Sequence, residues 1–400
     1  MPELLDENQK IRLFLPDVMR CPQPAYADLR AKCPVGRMFF TNSPVVSRFE
    51  DVVWALRHPE VFSSEMDLQV ALGTERPMIP QQIDPPAQTR YRRLLDPLFS
   101  RKKMAELVPA IRAHAKALIG DFAEKGECEF DSAFAIPLPC TAFLCLFGLP
   151  LSELPTFLEL KDGIIRPHKF LPPGSADLEK AQEIRFSTGR RIYAYFEDEM
   201  KRRAGNPGDD LLGDLLVAEI DGKKLEHNEI LDICYLLLLA GLDTVTATLG
   251  CNIAYLAGNP DQRRRIVENP KLIPGAVEEL LRWETPVTAV PRVAKQDVTL
   301  HHVEIKAGEV VTFLIGSANT DDEHFPDAQS VDFERQRNIH VAFGAGPHRC
   351  LGSHLARMEL QVAMEEWHAR IPEYWIKPGE TPTYSPGIRE VMYLPLVWNA

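Results

Sequence analysis

Ten residues near the end of the chain, Phe343-Gly344-Ala345-Gly346-Pro347-His348-Arg349-Cys350-Leu351-Gly352, constrain its fold more than any other stretch. Three glycines and a proline this close together suit the interior of neither a helix nor a strand, so the segment is a loop. Cys350 sits among those glycines, with a phenylalanine seven residues before it and a histidine two before it. No CxxC pair occurs anywhere in the chain, so the pattern reads as neither a disulfide half nor a zinc set. A thiolate that binds metal must be reachable by it, shielded from water and stabilised as an anion. Glycines let the backbone come close to a flat ligand and turn N–H groups toward the sulfur, which tunes its electron donation. The run after Cys350, from Gly352 through Leu360, reads as the start of a helix, whose N-terminus adds favourable positive potential beside the sulfur. A glycine-rich loop around a structural cysteine is the competing reading, and it leaves the full ten-residue pattern unexplained.

A chain of 400 residues with 45% hydrophobic content buries a large core, and its length calls for two lobes or one large helical body. The net charge of −12 argues against general nucleic-acid binding. The first ten residues are polar and acidic, without a signal-peptide pattern. The longest apolar run, around Leu236 to Leu239, is flanked by Asp232 and Asp243, which argues against a membrane span. Eight scattered cysteines in a chain this long imply reduced thiols and a cytoplasmic location.

Helical periodicity dominates. It predicts helices over 24–33, 49–57, 87–98, 101–125, 138–147, 152–165, 177–204, 226–258, 260–268 and 271–283, with a further one after Cys350. Short strand-like runs fall at 36–41, 44–47, 298–305 and 309–314, with a hairpin-like end at 385–398. The fold class is therefore mainly α with a smaller β-rich lobe, drawn from the N-terminal strands and the region from about 286. Prolines and a glycine between 161 and 176 mark a loop joining two helices.

The pattern from His227 to Gly258 is continuously helical, about 48 Å at the usual rise. Two features in its middle are odd for a buried helix. Gly241 costs roughly 1 kcal/mol relative to alanine. Asp243-Thr244 puts a carboxylate and a hydroxyl in apolar surroundings, which is costly unless they are paired or functional. A threonine hydroxyl can bond to the carbonyl one turn earlier and bend the helix, and a glycine eases such an opening. A packing glycine beside a salt-bridged aspartate is the plain alternative.

Together these residues carry a resemblance. The stretch from Phe343 to Gly352 resembles the haem-ligating loop of the cytochrome P450 family, and Ala240-Gly241-Leu242-Asp243-Thr244 is similar to that family's oxygen-binding groove. The resemblance implies a single cytochrome P450 domain over 1–400 holding haem b, with Cys350 as the iron's thiolate ligand. No CxxCH is present, so covalent haem attachment is not supported. Phe343, Gly344 and His348 become cofactor-binding positions. Thr244 would hold reactive oxygen in place, and Asp243 would relay protons toward it. Arg92 and Arg292 match the family's propionate donors. Many relatives carry a histidine donor at position 88, where this chain has glutamine, so Gln88 can offer a hydrogen bond without charge. Glu279 and Arg282, three apart on one helix face, together with Arg335, match a structural ion network. The segment 161–176 corresponds to a mobile lid over the substrate channel.

Absence of a membrane anchor and of a fused reductase resembles the soluble bacterial class. Such enzymes take electrons from a ferredoxin and an NAD(P)H-dependent reductase and insert one oxygen atom from dioxygen into a C–H bond. Six basic residues, Arg90, Arg92, Arg93, Arg101, Lys102 and Lys103, against the single acid Asp96, form a candidate docking patch for that acidic partner, with Arg349 beside the ligand. An ordinary helix face is the competing reading. The family's substrate-facing segments bring in Val70, Met78, Leu239, Ala240, Val287, Val290 and Val391, along with Leu68, Ile79 and Ile388. All suit an apolar ligand. Leu394-Pro395-Leu396-Val397-Trp398 and the stretch around Asp332-Phe333 resemble camphor-hydroxylase-type sequences, hinting at a terpenoid-sized substrate. Arg76 either anchors a carboxylate or is solvated. Two other functions stay open at this level: a haem-thiolate peroxygenase or isomerase, against which the Asp243–Thr244 pair argues, and a non-enzymatic haem sensor, for which no output segment is evident.

Overall fold

Periodicity finds most of the helices because most lie with one face buried. In the computed structural model, which describes residues 10–11, 16–66, 72–172, 175, 177–385 and 388–399, helices run over Gln23–Lys32, Phe49–Arg57, Ala87–Leu98, Pro137–Leu146, Leu154–Ile165, Leu178–Arg202, His227–Gly258, Pro260–Glu268, Ile273–Glu284 and Ser353–Arg370. The single helix expected over 101–125 is instead two, Arg101–Ala105 and Val108–Gly120. A helix over Leu211–Val217 escaped the sequence reading. It is only two turns long, and its start is marked by Asp210, whose carboxylate accepts from the Gly213 N–H.

The described residues cluster into two compact units. The first comprises 1–64, 112–136 and 244–400. It holds a six-stranded sheet in the order Lys10–Ile11, Val35–Met38, Pro44–Val46, Val310–Phe313, Val290–Ala294, Phe62–Ser63. Val35, Val46, Val311 and Phe313 from this sheet pack with Val52, Leu56 and Ile315 in one apolar cluster. A second aromatic core gathers around the buried Trp367, whose ring meets Phe130, Phe134, Tyr374 and Trp398. The hairpin-like end expected over 385–398 is present in part, as an antiparallel pair displaced toward the N-terminus. Val391–Tyr393 pairs with Thr383–Tyr384, and Pro395–Val397 lies between Trp375–Ile376 and Glu127–Glu129.

The second unit, 65–111 and 137–243, is almost wholly helical apart from a two-residue-strand hairpin at Glu219–Ile220 and Lys223–Lys224. Its 72–84 segment is tied down tightly. An added Cβ on Gly189 would collide with the Gly73 carbonyl oxygen. Tyr235 donates to the Leu72 carbonyl at 2.6 Å. Arg76, part-exposed, is already engaged by a carboxylate of its own unit. Its guanidinium pairs with the buried Asp232 at 2.8 Å and lies 4.7 Å over the Tyr193 ring.

The helix His227–Gly258 contributes to both units and is continuous in assignment through Gly241. By length and composition it could cross a bilayer, but 78% of its most apolar window is buried inside the protein, as in a core helix.

Candidate functional site

The cysteine loop is built by backbone hydrogen bonds and two left-handed glycines. Gly344 has φ +71° and Gly346 φ +68°, conformations that L side chains rarely adopt. A Cβ on Gly346 would also strike the Leu56 carbonyl, so the loop can lie against that helix only without a side chain. The Gly344 N–H donates to Val341 O at 2.8 Å, and the Cys350 N–H donates to Phe343 O at 2.8 Å, closing the loop on itself. Its entry is pinned by Asn319, whose Oδ1 accepts from the Val341 N–H at 2.7 Å. Cys350 emerges exposed, three residues before the helix Ser353–Arg370. Cys234 and Cys251, by contrast, are fully buried, and burial pushes their thiols far up, out of reach of ligand chemistry at neutral pH.

The residues present fit a haem iron. Among the described residues there is no group of three or more His, Cys, Asp or Glu able to hold a bare metal ion. A single presented thiol suits a macrocycle that brings its own nitrogen donors. Phe343, Gly344, His348 and Cys350 are thus brought together. Arg292 lies in the strand Val290–Ala294 of the same unit, its Nη1 donating to the Pro291 carbonyl at 2.7 Å. In the other unit, Gln88 is buried at the start of the helix Ala87–Leu98, and Arg92, one turn on, pairs through Nε with Asp96 at 2.8 Å.

The long helix carries the second set of candidate residues. Leu237, Ala240, Gly241 and Thr244 keep accessible surface while their neighbours are buried. Their spacing of i, i+3, i+4, i+7 puts them on one face. An added Cβ on Gly241 would meet nothing nearer than Phe143 at 3.8 Å, so the glycine leaves this face open rather than answering a packing demand. Asp243 points elsewhere. It is 1% exposed, and its Oδ1 accepts from Arg166 Nη1 at 2.9 Å and Lys161 Nζ at 3.4 Å. Both cations are buried, and both also face Asp162, at 3.7 Å from Lys161 and 3.3 Å from Arg166.

Sequence reasoning missed these two partners. Their signal was available: Lys161 and Arg166 flank Ile164 and Ile165 on an apolar helix end, where a cation needs a partner. Within the segment 161–176, Lys161 to Ile165 close the helix Leu154–Ile165, as the periodicity predicts, and Pro167–Phe170 form a 3-10 turn.

Glu279, Arg282 and Arg335 form the expected buried network. Arg282 grips Glu279 with two bonds of 2.7 and 2.9 Å, and Arg335 Nε reaches the same carboxylate at 3.1 Å.

The substrate positions divide. Val70 and Leu68 lie outside the described residues. Met78 and Val391 are core residues, Val391 packing at Gly250, so neither is retained as a contact. Leu239 is nearly buried, whereas Ala240 is exposed and Val287 and Val290 are half-buried. Of the six basic residues in the candidate docking patch, Arg90, Arg92 and Lys103 are engaged by Asp221, Asp96 and Asp214, while Arg93, Arg101 and Lys102 are exposed.

Comparison with known proteins decides the family. A family model described as Cytochrome P450 matches residues 41–367. The chain belongs to the cytochrome P450 family. A probable cytochrome P450 127A1 from Sinorhizobium fredii is 35% identical over 88% of this chain and 83% of its own length. The mycinamicin IV hydroxylase/epoxidase of Micromonospora griseorubida is 34% identical over 93% and 94%. Among solved structures, the P450 CYP109E1 from Bacillus megaterium in complex with corticosterone superposes with a TM-score of 0.86 at 28% identity, covering 96% of this chain and 100% of that one. Cytochrome P450 enzymes bind haem through a cysteine thiolate, and this one is a P450 monooxygenase, an oxidoreductase.

Proposed function

We propose that this P450 oxidises apolar, terpenoid-to-steroid-sized molecules, drawing electrons from a ferredoxin and its NAD(P)H-dependent reductase in the cytoplasm. The observation that carries the reading is the accessible stripe Leu237, Ala240, Gly241, Thr244 in the otherwise buried middle of the long helix. It presents hydrocarbon and one hydroxyl, with no charge, to whatever lies against it. The corticosterone complex of the Bacillus P450 and the mycinamicin named for the Micromonospora enzyme support a substrate larger than a simple monoterpene. Exposed Arg93, Arg101 and Lys102 offer the positive charge that an acidic ferredoxin would meet.

Haem, held by Cys350, would supply the oxygen-activating chemistry, with the thiolate donating electron density to the iron. The chain's own residues do the rest. Gly344 and Gly346 let the loop carry Cys350 to the metal. Arg92, Arg292, His348 and, without charge, Gln88 would hold the propionates. Thr244 places a hydroxyl on the open face of the helix, and Asp243, next in chain, holds the proton supply. Lys161 and Arg166 hold Asp243 by Oδ1 alone, which fixes the carboxylate and leaves Oδ2 to carry a proton.

The test is a binding titration read by the haem's spin-state shift, using steroids, macrolides and bicyclic monoterpenes. Steroids or macrolides are expected to give the larger shift at lower concentration. A response confined to monoterpenes, or none from any apolar ligand, contradicts the substrate class.

A further inference from the structure

Behind the cysteine loop lies a charged cluster that neither the ligand set nor the proton supply uses. Arg357, on the helix that follows Cys350, holds its guanidinium 4.4 Å over the Phe343 ring. Glu278 fixes that guanidinium from the helix Ile273–Glu284 by a two-pronged ion pair, 2.5 Å to Nε and 2.8 Å to Nη2. His340, nearly buried, comes within 3.1 Å of the same carboxylate through Nε2 and accepts the Ala342 N–H on Nδ1 at 3.2 Å. Burial pushes the Glu278 carboxyl up, but the His340 and Arg357 bonds outweigh it and hold the group at about 2, so it stays ionised. Phe343 is the point of convergence. Its ring carries Arg357, and its carbonyl accepts the N–H of Cys350.

We infer that Arg357, oriented by Glu278 and His340, is a positioning residue that holds Phe343 and through it the loop bearing the Cys350 thiolate. The inference rests on the haem-thiolate reading above. A guanidinium matches both requirements at once, because its planar fork fits a carboxylate and its flat face stacks on a ring. Lysine keeps the charge and loses both. A loosened Phe343 admits water to the sulfur. Hydrogen bonds to a ligating thiolate withdraw electron density from it, and this moves the iron's potential upward.

The experiment measures, on holoenzyme, the iron midpoint potential and the carbon monoxide spectrum of wild type, Arg357→Lys, Phe343→Leu and the double variant, alongside thermal melting. Arg357→Lys is expected to melt near wild type, shift the potential positive, and lose part of the thiolate-type Soret band to the unshifted position. In the Phe343→Leu background the same substitution is expected to add nothing, because the residue it acts through is gone. If Arg357→Lys yields no folded protein, Glu278→Gln is read in the same way. An unchanged potential and band, or shifts that simply add in the double variant, overturn the inference. A wild type without the thiolate band overturns the haem-thiolate reading first, which separates the two failures.

Discussion

Glu279→Ala is expected to abolish accumulation of folded protein. The Glu279 side chain is fully buried and is the hub of its unit's charged core. It takes two bonds from Arg282, a forked pair from Arg335 Nε at 3.1 Å to each oxygen, one from Asn338 Nδ2 at 3.0 Å and the Asp332 N–H at 2.9 Å. Arg282 spends its remaining donors on the carbonyls of Asn319, Ala328 and Ser330 at 2.8 to 3.0 Å, so it also ties down the segment that leads to the cysteine loop. Removing the carboxylate strands two guanidinium groups away from water. Leaving one partner of a buried pair uncompensated costs about 3–5 kcal/mol. Whole domains are stable by only about 5–15 kcal/mol. Soluble yield and urea unfolding are the measurements. A Glu279→Ala protein that unfolds within about 1 kcal/mol of wild type would contradict a structural role for this network.

The second large effect is on turnover. Asp243→Asn is expected to slow product formation by about 10²–10³-fold, within the range associated with a positioned proton-transfer group. Substrate binding and the haem spectrum should stay near wild type. The fold is expected to survive because Lys161 and Arg166 keep Asp162, so the substitution does not leave them without an anion. Oxygen uptake compared with product formed is the measurement, with a solvent deuterium isotope effect to report on proton transfer. Turnover within threefold of wild type and an unchanged isotope effect would remove Asp243 from the proton supply.

Much of this site was legible because it is local. The cysteine loop is one contiguous string whose glycines declare their own backbone, and Gly241 to Thr244 interrupt a helical pattern that is otherwise uniform. Partners distant in sequence were not legible. Asp243 is answered by residues 77 and 82 positions away, Arg357 by Glu278 at 79 positions, and no periodicity points from one to the other. Strand pairing failed in part for the same reason. Val391–Tyr393 pairs locally with Thr383–Tyr384, but Pro395–Val397, at the end of the stretch expected as a hairpin, pairs with Trp375–Ile376 and with Glu127–Glu129 far upstream. The strand Val290–Ala294 was hidden by Pro291, a residue that usually excludes an interior strand. Here the outer strand Phe62–Ser63 pairs only with Ala294 and Val293, so Pro291 meets no ladder on that side.

The central claim, a haem held by the Cys350 thiolate, is tested most directly by the spectrum of the reduced holoprotein with carbon monoxide, beside Cys350→Ala. The account predicts a strongly red-shifted Soret band in the wild type and its complete loss in the variant. A band at the ordinary position in freshly purified wild type, or a red-shifted band that persists without Cys350, would contradict it.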